Sequence, residues 1–313
     1  MDIMRKRFFI FAIMVMICSV TIGQTKYSQE LVNKAEAGNA EAQFNLGSCY
    51  ADGYGVSQDN AKAVYWFIKA AEQGYAFAQH NLGVCYADGY GISQDDAKAV
   101  YWFTKAAEQG VDYAQYNLGM CYYFGKGVRL DYTMAVYWYT KAAEKGNAKA
   151  QSNLGLCYEK GKGVSQDYVK AVYWYTKAAE QGNDYAQYNL GLCYFYGLGV
   201  NQDKDKAIYW CGKAAASSNI YKYNTQLFFA FIYYTSGNYA KAVKYLAIAK
   251  ESDDDYFSGS ACNLLSKCYR FGRGVPQDVS KADELQAEAE AKGCGGDINE
   301  LIKKLKEEYS IIK

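Results

Sequence analysis

Apolar positions recur along this chain first with the spacing of a helix and then, on a longer scale, with the spacing of a repeat. Ala78, Leu82, Cys85 and Tyr86 fall at i, i+4, i+7 and i+8, which is one face of an α-helix. After a break at Gly89-Tyr90-Gly91, Ala99, Trp102, Phe103, Ala106 and Ala107 form a second helical stripe. Glycines can adopt the positive φ of a sharp reversal, so the break is read as the turn between the two helices. Asp95 stands where an N-cap belongs, ready to accept the unpaired amide protons of the second helix. Gly83 leaves room for the partner helix, and Gly110 closes the unit.

The unit is copied in register. Leu46-Gly47, Leu82-Gly83, Leu118-Gly119, Leu154-Gly155 and Leu190-Gly191 are 36 residues apart at every step, and Trp66, Trp102, Trp138, Trp174 and Trp210 keep one place in five copies. Such a period predicts a solenoid. The pattern Ala-x-x-x-Leu-Gly, then Tyr, Gly-x-Gly-Val, Asp, Lys-Ala and Lys-Ala-Ala resembles the SEL-one-like repeat, a relative of the tetratricopeptide repeat. The resemblance covers about residues 40–293. A sixth copy, carried by Ala230, Tyr233, Gly237, Tyr239, Ala242 and Ala249, has the shorter spacing of a plain tetratricopeptide repeat. A seventh, with Leu265, Cys268-Tyr269, Gly272-Arg273-Gly274-Val275 and Asp278, restores the long form.

The expected fold is therefore all-α, a right-handed α-solenoid of about seven helix-turn-helix repeats with capping helices at both ends. The organisation predicted is a signal peptide at 1–23, an N-terminal capping helix within 24–39, five repeats over 40–219, a divergent repeat at 220–257, a repeat at 258–293 and a C-terminal capping helix at 294–313. Arg5-Lys6-Arg7 and the 13-residue apolar run Phe8 to Val20 carry the signal-peptide reading, with cleavage before Gln24. The run is shorter than the roughly 20 residues that span a bilayer. An exported protein, periplasmic or extracellular and without a transmembrane segment after cleavage, is the expectation.

Composition narrows the chemistry. Lys+Arg 34 against Asp+Glu 33 gives a net charge of +1, and loss of the leader removes one acid and three bases, turning it to −1. A balance this even gives no reason to expect nucleic acid as a partner. With one histidine in the chain, His80, a multi-histidine metal centre cannot form, and no Cys-x-x-Cys occurs. No cofactor and no metal are expected, and no catalytic residue is nominated. Cys49, Cys85, Cys121, Cys157, Cys193 and Cys268 share one helical register. Stacked repeats would hold them about 9–10 Å apart, beyond the ~7 Å Cα separation that a disulfide tolerates. They are read as small buried apolar residues, with Cys193 and Cys211 as one pair able to bridge. The acidic run Glu251 to Asp255 is read as a solvated loop.

What differs between copies is the remaining clue. Resemblance to tetratricopeptide arrays implies that the first helices line a concave surface. There Phe77, His80, Tyr113, Tyr116, Tyr123, Phe124, Tyr185, Tyr188, Phe195 and Tyr196 would present an aromatic-rich groove. Tyr and Phe give large contact area for little side-chain entropy, which suits recognition. The function expected is a non-catalytic, exported scaffold that binds a peptide or protein in that groove. The alternatives are a binder of cell-wall glycan or peptide fragments and, implied only by the secreted cysteine-rich relatives, a weak β-lactam hydrolase.

Overall fold

In the computed structural model, residues 26–295 other than Ser218 are described. Fifteen helices and no strand occur among them: α1 Gln29–Glu36, α2 Ala40–Asp52, α3 Asn60–Glu72, α4 Ala76–Asp88, α5 Asp96–Glu108, α6 Asp112–Phe124, α7 Tyr132–Glu144, α8 Ala148–Lys160, α9 Tyr168–Glu180, α10 Asp184–Tyr196, α11 Lys204–Ser217, α12 Asn219–Thr235, α13 Tyr239–Lys250, α14 Asp255–Arg270 and α15 Val279–Ala291. The expected leader at 1–23 and the helix expected after Asp297 lie outside the described residues. Helices pack in sequence order as antiparallel pairs, so the fold is an all-α solenoid of helix-turn-helix repeats. Contacts divide the chain into two units, residues 1–150 with 162–164 and residues 151–161 with 165–313, the boundary falling within α8.

Local chemistry sets each boundary. Asp59, Asp95, Asp131, Asp167 and Asp278 accept from the backbone amides of Lys62, Lys98, Met134, Lys170 and Lys281 at the starts of α3, α5, α7, α9 and α15. The Lys98 amide holds the Asp95 carboxyl below its ordinary pKa, and Asp59, Asp167 and Asp203 are held down in the same way. Gly89 and Gly125 end α4 and α6 in the left-handed region, at φ 71° and 67°. The second glycine of the same turn does something else. A Cβ on Gly127, φ 65°, would overlap the backbone carbonyl of Asp96 at the start of α5 in the preceding repeat. The turn is thus the place where one repeat's loop lies on the backbone of the preceding repeat's second helix, and the equivalent Gly91 lies on Asn60 in the same way.

The Leu-Gly glycines accommodate rings. A Cβ on Gly83 would come within 2.6 Å of the Phe103 ring, and one on Gly119 within 2.6 Å of Tyr139. The stripe of the second helix is not evenly buried. Phe103 and Tyr139 are 3% and 0% exposed, whereas Trp102 and Trp138 beside them are only half-buried. Trp102 packs on the cluster around Phe67 and Leu82, and Trp138 on the cluster around Phe103 and Leu118, each reaching back to the previous repeat.

A polar ladder fixes the stacking. Gln43, Gln79, Gln115 and Gln187 are buried, and each donates to the carbonyl eight residues earlier, of Ala35, Ala71, Ala107 and Ala179. Gln73, Gln109 and Gln181 in turn donate to the side chains of Gln43, Gln79 and Gln151 at 2.7 Å. Carbonyls orphaned at the helix ends are thereby satisfied inside the stack. In the sixth repeat only Ser236-Gly237-Asn238 separate α12 from α13. The acidic run is only partly loop: Asp254 caps α14 through the Tyr256 amide, and Asp255 is helical.

Candidate functional site

The aromatic registers of the first helices do not form one exposed lining. His80, Tyr116, Tyr188 and Phe195 are 3%, 8%, 1% and 7% exposed, which corrects their placement at a groove surface. The reason is a complementary filling of volume: the His80 ring meets Phe103 at 5.9 Å and Tyr116 meets Tyr139 at 6.1 Å. In the fifth repeat, where Cys211 stands in place of that ring, Tyr188 is buried among Phe228, Phe229 and Leu192. Phe195 packs edge-on against Phe228 at 4.9 Å. Variation in this register therefore balances volume against the second helix rather than marking freedom from packing.

Five others are half-buried: Phe77, Tyr113, Tyr123, Tyr185 and Tyr196. Phe77 belongs to a ring cluster with Phe44 and Tyr75. The Lys162 ammonium donates to the Tyr123 hydroxyl at 3.2 Å and lies over both the Tyr123 and Tyr132 rings. Burial pushes the Tyr196 phenol up to about 12. Phe124 alone of the ten is exposed, at 42%.

His80 is held as a neutral ring. Its Nδ1 lies 3.1 Å from Asn81 Oδ1 and its Nε2 3.2 Å from Asn117 Nδ2, a pairing in which Nδ1 donates and Nε2 accepts. Burial lowers its pKa to about 4, against smaller upward effects of Asn81 and Asp112. The unfolded chain takes up this proton near pH 6.5 and the folded one near 4, so stability is full above 6.5 and is lost as pH falls. From pH 7 to pH 5 the loss assignable to His80 is about 2 kcal/mol. His80→Tyr, which copies the residue at 116 and 188, is expected to show a correspondingly shallower decline in urea titrations at the two pH values. Parallel declines would refute the assignment.

Phe124 lines a shallow surface cleft in the first unit with Val84, Asp96, Phe103, Asn117, Met120 and Lys126. It combines an apolar floor with an amide, a carboxylate and an ammonium, the usual composition of a contact site. Asn117 and Lys126 were not singled out in the sequence. In the second unit the Tyr175 hydroxyl donates to Glu159 at 2.7 Å, and Glu159 pairs with Lys160 at 2.7 Å, both largely buried. None of the nine described cysteines is joined in a disulfide, Cys193 and Cys211 included. Burial pushes Cys85, Cys121 and Cys193 up to about 12, so they are protonated and unreactive at neutral pH. Among the described residues no cluster of three or more potential metal ligands occurs, and no helix is long and apolar enough to cross a membrane.

Fold and surface together define a helical-repeat protein of the scaffold type. The Sel1 repeat model matches at 40–75, 76–111, 112–147, 148–183, 184–219, 231–254 and 259–282, so the chain belongs to the Sel1 repeat family. It is 36% identical, over 85% of its length, to c5321, a protective antigen of uropathogenic Escherichia coli displaying an SLR fold, with a TM-score of 0.73. It spans 56% of that protein's length. A Sel1 repeat protein from Oxalobacter formigenes is 29% identical over 83% of this chain and 95% of its own, with a TM-score of 0.56. No curated protein matches the chain.

Proposed function

We propose that this protein is an exported, non-catalytic scaffold that holds a peptide or protein partner against the ends of its first helices. Membership of a family whose repeats generally mediate protein interactions supports the reading. The observation that carries it is the cleft at Phe124, where an exposed ring, a flexible thioether and the oppositely charged Lys126 and Asp96 converge between two repeats of one unit. Met side chains adapt to irregular partners, and an exposed aromatic beside them supplies an anchor. Export rests on the basic start and apolar run of residues 5–20. That the E. coli relative is a protective antigen accords with it.

The test is capture from an envelope extract by the wild type and by Phe124→Ser/Met120→Ser, both checked for equal helicity. A protein retained by the first and lost by the second is expected. An identical catch from both would place the contact elsewhere. Fractionation with N-terminal sequencing tests export: a mature protein beginning at Gln24 outside the cytoplasm is expected, and full-length protein in the cytoplasm would refute it.

A further inference from the structure

Within the first unit a second surface repeats more faithfully than the cleft. Tyr65, Tyr101 and Tyr137, on α3, α5 and α7, are 52%, 53% and 49% exposed. Each meets the half-buried tryptophan that follows it edge to face, at 5.0, 4.9 and 5.0 Å. Each also carries a lysine over its ring, Lys69, Lys105 and Lys141, at 5.0, 5.7 and 5.7 Å. The exposed register of Ala61, Ala97 and Thr133 on the same helices drifts between copies. The tyrosine and lysine do not drift, and half-exposure does not explain a fixed ring. The second unit repeats the group on its own helices as Tyr173-Trp174-Lys177 and Tyr209-Trp210-Lys213.

Lysines elsewhere on these helices are neutralised, Lys62 by Asp59 and Lys98 by Asp95. Among the described residues Lys69, Lys105 and Lys141 have no carboxylate partner, although Glu72, Glu108 and Glu144 lie one turn further on. Each repeat thus offers one immobilised aromatic face and one cation without an ion pair, at a spacing of roughly 10 Å set by helix packing. A ligand that answers all three features is a polymer with one apolar ring face and one carboxylate per repeat of its own.

We propose that the α3–α5–α7 face binds a linear acidic polysaccharide, its sugar rings stacking on Tyr65, Tyr101 and Tyr137 and its carboxylates meeting Lys69, Lys105 and Lys141. This surface is independent of the Phe124 cleft, so either reading can fail alone. Affinity electrophoresis of the full chain in gels holding hyaluronan, alginate or polygalacturonate, with dextran as a neutral control, tests it. Retardation by at least one acidic polymer and not by dextran is expected, weakening as salt screens the charges. Tyr65→Ser/Tyr101→Ser/Tyr137→Ser should weaken binding about tenfold or more. Lys69→Gln/Lys105→Gln/Lys141→Gln, which alters only solvent-facing head groups, should abolish the preference for acidic polymer. No retardation by any of the three, undiminished binding by either folded variant, or equal affinity for poly-glutamate would overturn the proposal, the last in favour of an acidic peptide.

Discussion

Tyr139→Ala is expected to destabilise the first unit by about 3–5 kcal/mol, and Trp138→Ala by less. The Tyr139 ring is wholly buried, seated over Gly119 and within 6.4 Å of Tyr116 and Tyr123, so its removal leaves a hole that the neighbouring backbones cannot close. The Trp138 ring is only partly buried, so a share of its surface is in solvent already and has less to lose. Urea titrations of the two variants beside the wild type measure the difference. A larger loss for Trp138→Ala would mean that the second helix is rotated from the orientation described.

Gly127→Ala is expected to cost about 2–5 kcal/mol. The left-handed backbone accounts for about 1–2 kcal/mol of this, and the overlap of the new methyl with the Asp96 carbonyl for about 1–3 kcal/mol. Gly146 provides the comparison: at φ 94° with no atom within 4 Å of an added Cβ, it carries the backbone cost alone. Denaturation of Gly127→Ala and Gly146→Ala side by side separates conformational strain from close approach. Equal losses would show that the loop does not rest on the preceding helix.

The repeat, its turns and its caps were legible in the sequence because each depends on residues close together in the chain. Asp95 caps the helix it was expected to cap, and Gly89 ends the helix before it with the positive φ expected of it. What the sequence concealed depends on the angle between helices. Trp102 and Phe103 are neighbours in sequence but lie about 100° apart around the helix. One faces the preceding repeat and the other the glycine of its own, so periodicity alone cannot rank their burial. The same limit misplaced His80, Tyr116, Tyr188 and Phe195. Difference between copies signals freedom only when the facing residue is constant, and here it changes from Phe103 to Tyr139 to Cys211. The exposed tyrosines beside the tryptophans were visible as fixed letters, but their exposure was not.

The glutamine ladder carries a consequence for how such chains change length. The rungs join glutamines 30 apart, or a buried glutamine to a carbonyl eight residues before it, and in the first two repeats the partners are chemically the same, whereas Lys145 takes the place of the outer glutamine in the third. Cutting out residues 76–111 would bring Gln115 to the Ala71 carbonyl that Gln79 now occupies, with no mismatched junction. Loss or gain of that whole module leaves its donors and acceptors balanced, whereas a deletion of another size there would separate Gln115 from a matching carbonyl. Selection on this architecture therefore edits reach in whole-repeat increments, as a ruler is shortened only at its graduations.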